Sequence, residues 1–198
     1  MKFNDALSLR TGFSPQNTME DIVELYNGVI NSPEGDVVEV GSASGGSTIM
    51  LIAAAEEVGK MVYSVDPYPE ELEGNATHYT SGIMRTFREN FKRNILNGKY
   101  KNIIQYNENI IFCIDKIPNK LSVVFIDGCH ELSHVQTEVD LLLPKLAVGG
   151  RLYIHDIKLE LGQISKTKET GLCQINDWIK TKNITVVQTT PTIMCCKK

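Results

Sequence analysis

The chain has 198 residues, a formal net charge of −4 and an apolar fraction of 42%, which suits one domain with a full core. Its 20 basic and 24 acidic residues form no cationic run, so neither nucleic acid nor an anionic membrane surface is expected as a partner. Residues 1–5 lack the apolar region of a secretion signal and no later stretch is apolar for long enough to span a bilayer, which predicts a cytoplasmic protein.

Residues 18–30 place Met19, Ile22, Val23, Leu25, Tyr26 and Val29 at helical spacing, with Asn17-Thr18 as the cap and Asn31-Ser32-Pro33-Glu34-Gly35 as the stop. A strand over 37–40 runs into small residues, Gly41-Ser42-Ala43-Ser44-Gly45-Gly46-Ser47, and a helix follows over 49–57. Next come a strand over 61–65, a helix over 85–96 and strands over 102–106 and 123–126. A long amphipathic helix over 131–146 turns at Gly149-Gly150 into a strand over 151–154. A helix over 174–180 and strands over 184–189 and 192–195, around Thr190-Pro191, close the chain as a hairpin.

This alternation predicts a single doubly wound, Rossmann-like α/β domain over 1–198, with a seven-stranded, mostly parallel sheet and a C-terminal antiparallel hairpin. Residues 1–34 form a helical segment expected to cap the site. Residues 67–81 and 157–171 follow strand C-termini, the edge where open α/β sheets bind ligands, and read as substrate-covering loops. Tyr68, His78 and Tyr79 lie in the first of them. The five cysteines, at 113, 129, 173, 195 and 196, form no CxxC pair and read as reduced thiols. Cys195 and Cys196 read as small apolar residues of the last strand.

The loop after the first strand fits two patterns. Gly41-x-Ala43-x-x-Gly46 is a degenerate dinucleotide fingerprint, and Glu39-x-Gly41-x-x-x-Gly45-x-Ser47 is a second glycine pattern. Small residues let backbone approach a ligand, and the helix start offers free N–H groups. Asp66, at the end of the second strand, can accept hydrogen bonds from both ribose hydroxyls, which suits NAD and S-adenosylmethionine alike. Glu39 suits a site holding a sulfonium and an amino group better than one holding a pyrophosphate. Asp127 and Asp156 end strands four and five; on neighbouring strands their termini lie about 5 Å apart. With His155 or His130 beside them they form a candidate site for Mg²⁺ or Mn²⁺.

The runs "VVEVGSASGGST", "VYSVDPYP" and "VVFIDGCHELSHVQTEVDLLLPKLAVGGRLYIHD", with the closing hairpin, resemble the class I S-adenosylmethionine-dependent methyltransferases over residues 35–198. The branch they most resemble is the small O-methyltransferases that include macrocin O-methyltransferase and cephalosporin-hydroxylase relatives. By that resemblance Glu39, Gly41, Ser42, Ala43, Gly45, Ser47 and Thr48 border the methionine part of the cofactor. Asp66 and Pro67 border its ribose, Glu108 its adenine, and Asp127 is a further cofactor-binding residue. The resemblance implies methyl transfer to a hydroxyl of a small metabolite or sugar-containing compound. Asp127, His155 and Asp156 are then the metal ligands, Asp127, His130, His155 and Asp156 the catalytic candidates, and a homodimer is a possible assembly.

Two other readings stay open: an NAD-dependent oxidoreductase, and a cofactor-binding regulatory protein without catalysis. A zinc protease is disfavoured. His130-Glu131-Leu132-Ser133-His134 matches H-E-x-x-H, but His130 closely follows Asp127-Gly128 and belongs at the start of a helix rather than within one.

Overall fold

A computed structural model describes residues 1–10, 17–68, 81–98, 100–129, 131–156, 175–190 and 192–198. The predicted strands form one sheet. They are β1 (Asp36–Val40), β2 (Val62–Val65), β3 (Ile103–Tyr106), β4 (Leu121–Ile126), β5 (Leu146–Ile154), β6 (Thr185–Thr189) and β7 (Met194–Lys197). Their order is β3-β2-β1-β4-β5-β7-β6. The first five are parallel, and β7 lies antiparallel between β5 and β6. The crossover between β3 and β4 carries the chain from one side of β1 to the other, so the strand order reverses beside β1. Such a reversal opens a crevice at the C-terminal strand ends.

Alternate residues of each strand enter different layers, as the two-residue pleat requires. Val37, Val62, Val123, Phe125 and Tyr153 pack under α1 (Phe3–Arg10), α2 (Met19–Ile30), α3 (Thr48–Glu57) and α4 (Ser81–Asn94). Val38, Val40, Val124, Ile126, Leu152 and Ile154 face the layer of α5 (Ile110–Cys113), α6 (Leu132–Leu142) and α7 (Ile175–Ile179). Cys195 joins the first layer and Cys196 the second, so the adjacent cysteines are core residues on opposite faces of β7.

Three local differences from the sequence reading have clear causes. Helix α1 falls within the helical segment expected over 1–34 but was not delimited there, because its eight residues carry almost no amphipathic period. Helix α6 ends at Leu142 rather than 146, since Pro144 opens a 3₁₀ turn over Leu143–Lys145. Strand β5 begins at Leu146, five residues before the expected start, and reaches its register with β4 through an irregularity between Leu121 and Val123. The expected loop over 157–171, together with His78, Tyr79, His130 and Cys173, lies outside the described residues.

Candidate active site

The strand ends form one row. Gly41 N donates to Val65 O (2.9 Å), Asp127 N to Val40 O (2.8 Å), His155 N to Ile126 O (3.0 Å) and Asp66 N to Tyr106 O (3.1 Å). Each is the first residue beyond its strand, so the sheet's own hydrogen bonds set Asp66, Gly41, Asp127 and His155 side by side, about 4.8 Å per step. Four positions dispersed between Gly41 and His155 thereby share one edge.

Gly41 has φ +89°, and a Cβ there would meet the Asp127 carbonyl carbon and Gly128 N at 2.5 Å. Only glycine permits both the turn and the close approach. Ala43 also takes a left-handed conformation, φ +42°, where glycine is the easier choice. The loop is tied down from two sides. Ser42 N and Ala43 N donate to Asp66 Oδ2 at 3.0 and 2.9 Å, and Tyr68 N donates to Oδ1 at 3.0 Å. Buried Tyr68 closes over the loop and donates its hydroxyl to Ala43 O at 2.7 Å. Asp66 therefore has three of its roughly four acceptor positions filled by backbone N–H groups. Burial raises its carboxyl above the usual range, against those three donors.

Glu39 lies behind the loop. It is 0% exposed and accepts from Ser47 Oγ (2.6 Å) and Thr48 Oγ1 (2.5 Å), which joins β1 to the first turn of α3. Burial pushes its carboxyl up to about 8. Glu39 and fully buried Thr48 thus support the loop from beneath and present no surface to a ligand. Pro67 is exposed. Glu108, just past β3, pairs with Lys116 at 2.5 Å, and Asn109 caps α5.

At the other end of the row, His155 Nδ1 lies 2.9 Å from Asp127 Oδ1 and 3.2 Å from Asp156 Oδ1. Asp156 has φ +58°, a break in the extended backbone that lets successive side chains reach one cluster. The three ligand atoms lie within 4.8 Å of one another. His155 is 3% exposed. Burial acts to lower its pKa, but Asp127, Asp156 and Asp21 outweigh it and hold the ring up to about 12.

Sequence reasoning missed two residues here, Asn17 and Asp21. Asn17 Nδ2 donates to Asp127 Oδ2 at 3.1 Å, and Asp21 Oδ2 faces His155 Nε2 at 3.8 Å. The available signal was the capping box Thr18-x-x-Asp21, which is present, but nothing in that pattern points to a second duty for its acid.

The H-E-x-x-H motif straddles a helix boundary. Glu131 is the N-cap of α6 and its Oε2 lies 3.2 Å from His134 Nδ1, so the helix itself holds the motif only from Leu132. Further along α6, Glu138 is buried against the loop after β4, and its Oε2 has no hydrogen-bond partner among the described residues. Burial alone pushes this carboxyl up to about 8. A raised carboxyl pKa means that the folded state holds the proton longer than the unfolded chain does, so stability falls as pH rises from about 4.5 toward 8. Glu138→Gln is expected to lack this loss. Its melting temperature relative to wild type should climb by several degrees between pH 5 and pH 8.5, at about 2–4 °C per kcal/mol. A constant difference across that range would show the carboxyl to be solvated.

A family profile for a methyltransferase domain matches residues 38–157, more than half of the chain. The chain belongs to that methyltransferase family. The match spans the row from the Gly41 loop to Asp156. The fold of this methyltransferase is similar to that of solved structures. An O-methyltransferase from Bacillus cereus, in complex with SAH, has 15% identity and a TM-score of 0.68 over 99% of this chain and 90% of its own. TomG from Streptomyces achromogenes, in complex with SAM, has 12% identity and a TM-score of 0.68 over 98% of this chain and 88% of its own. MycE from the mycinamycin biosynthetic pathway, in complex with Mg, SAH and mycinamycin VI, has 15% identity and a TM-score of 0.63 over 98% of this chain and 53% of its own. No helix among the described residues is long and apolar enough to cross a membrane.

Proposed function

We propose that this methyltransferase transfers the methyl group of S-adenosylmethionine to a hydroxyl of a small metabolite or sugar-containing compound, with a divalent cation held by Asp127, His155 and Asp156. The observation that carries the reading is the single row of Asp66, Gly41, Asp127 and His155 at the crevice. The named ligands of the similar structures, SAM, SAH and Mg, belong to those proteins and agree with it.

The residues fit the cofactor with one division of labour. Gly41, Ser42, Ala43 and Gly45 form the close-approach loop, while Glu39, Ser47 and Thr48 hold it in shape. Asp66 keeps one acceptor position for a ribose hydroxyl beside its three backbone donors. Pro67 and Glu108 border the sugar and the base from the ends of β2 and β3.

The residues also fit a cation. Both nitrogens of buried His155 lack a well-directed hydrogen bond, although carboxylates surround them. Three carboxylates, those of Asp21, Asp127 and Asp156, crowd this ring, an acidic excess that a divalent cation would offset. Oxygen-rich ligands with one imidazole suit Mn²⁺ or Mg²⁺.

Bound cofactor supplies an activated methyl group, and a bound cation makes a nearby hydroxyl more acidic. The acceptor oxygen forms a bond to the methyl carbon as the carbon–sulfur bond breaks, and the hydroxyl proton passes to a base. The chain's part is to align the acceptor and take that proton. Asp127 and Asp156 converge where an acceptor would meet the loop. Buried His155 is committed to carboxylates on both sides, so the base falls to Asp156, the most exposed of the three, or to His130.

The cofactor is tested by thermal shift. S-adenosylhomocysteine at 100 times its dissociation constant should stabilise the protein by about 2.7 kcal/mol, or about 5–10 °C, while NAD leaves the transition unmoved. A shift with NAD and none with S-adenosylhomocysteine would return the oxidoreductase reading.

A further inference from the structure

Asp21 sits on the first turn of α2, far from the predicted site in sequence, and is 0% exposed. A buried carboxylate is costly unless its oxygens are satisfied. Here donors from both ends of the chain surround it. Thr18 N and Thr18 Oγ1 donate to Oδ2 at 2.8 and 2.6 Å, Thr192 Oγ1 donates to Oδ2 at 2.5 Å, and Thr190 Oγ1 donates to Oδ1. Thr190 Oγ1 in turn accepts from Ile193 N at 2.8 Å, which fixes it in the bend before β7. Burial raises this carboxyl, but the facing His155 ring first, and then the Thr18, Thr190 and Thr192 hydroxyls, outweigh it and hold it well below its usual range. Arg10 lies close enough to favour the charge further, and its guanidinium donates to Asn17 O.

A capping box needs only the Thr18 contacts. Two extra threonine hydroxyls from the β6–β7 bend leave a dry, fixed negative charge 3.8 Å from His155 Nε2. Asp127 and Asp156 occupy the other ring nitrogen. The ring therefore lies between a carboxylate that faces Nε2 at 3.8 Å, beyond hydrogen-bond range, and a pair of carboxylates beside Nδ1. A histidine ligand is commonly oriented by a carboxylate at its second nitrogen.

We infer that Asp21, clamped by Thr18, Thr190 and Thr192, is a positioning residue that holds the His155 ring with Nε2–H toward itself and Nδ1 toward Asp127 and Asp156. The cation part of this inference rests on the metal reading above; the ring orientation does not. It also gives the N-terminal helix and the C-terminal hairpin a common purpose, since each supplies part of the clamp behind one histidine.

The test pairs two readouts on Asp21→Asn and on Thr192→Val, the second of which loosens the clamp and keeps the charge. The first readout is the His155 Nε2–H resonance in metal-free, ¹⁵N-histidine-labelled protein, and the second is Mn²⁺ affinity from titration of free Mn²⁺. In wild type the Nε2–H proton should resonate far downfield and exchange slowly with water. Asp21→Asn should move it upfield and weaken Mn²⁺ binding by about 10–100-fold, with smaller changes of the same sign in Thr192→Val. An unchanged resonance and Mn²⁺ affinity within twofold of wild type, in folded Asp21→Asn protein, would overturn the inference. If Asp21→Asn does not fold, Thr192→Val decides by the same criteria. If wild type takes up no Mn²⁺, the metal reading falls and the resonance alone decides for or against Asp21.

Discussion

Gly41→Ala protein should fail to retain S-adenosylhomocysteine and should melt about 10 °C below wild type. Two penalties act at once. The backbone at this position has φ +89°, which an L side chain adopts only with strain of about 1–3 kcal/mol. The added Cβ would also press on the Asp127 carbonyl carbon and Gly128 N at 2.5 Å, and these are backbone atoms that cannot rotate away. The hydrogen bonds of Gly41 N to Val65 O and Asp127 N to Val40 O cross this same junction, so relief requires parting of strand ends. A total of about 3 kcal/mol is the scale for such a combination, and at this size each kcal/mol lowers the melting temperature by about 2–4 °C. Differential scanning calorimetry and isothermal titration with S-adenosylhomocysteine check the two halves. Wild-type affinity in Gly41→Ala protein would remove the loop from the cofactor site.

Asp127→Asn should leave the fold and cofactor affinity nearly intact and lower turnover by about 10²–10⁴-fold, the range associated with losing a positioned proton-transfer or cation-holding group. The backbone N–H of Asp127 still bonds Val40 O, so the row of strand ends survives. What changes is chemistry. The carboxylate that faces His155 Nδ1 at 2.9 Å and accepts from Asn17 Nδ2 at 3.1 Å becomes a neutral amide. A divalent cation then loses one of its two charged ligands. Its affinity should fall in the same titration that tests Asp21, and added Mn²⁺ should restore part of the turnover. Near-wild-type turnover in both Asp127→Asn and Asp156→Asn protein would remove this cluster from the mechanism.

The parallel sheet was legible because each strand is a short apolar run and each turn carries a glycine or an acid. Val37 to Val40 and Val123 to Ile126 are such runs, and the structure pairs them directly. The candidate residues at strand ends were legible for the same reason, since a strand of known length delivers its last residue to a known edge. The division of roles among them was not. Glu39 reads in sequence as an acid beside the cofactor, but the pleat turns it onto the face beneath α3, where Ser47 and Thr48 take both of its oxygens. Tyr68 reads as one aromatic of a substrate-covering loop, yet it is buried over Ala43 and holds the Gly41 loop down.

By itself the sequence determined the order of the strands, the edge proposed to bind ligand and the acids that end those strands, because hydrophobic period and turn chemistry are local properties. Only the tertiary structure decided that Asp21, Thr190 and Thr192 meet behind His155. A capping acid in α2 and two threonines near the last strand, 169 and 171 positions away, share no local pattern. They are brought together when the sheet closes with β7 against β5 and α2 packs across it. The donors that this packing delivers, rather than residue type, then keep a helix-cap acid charged where it faces the His155 ring.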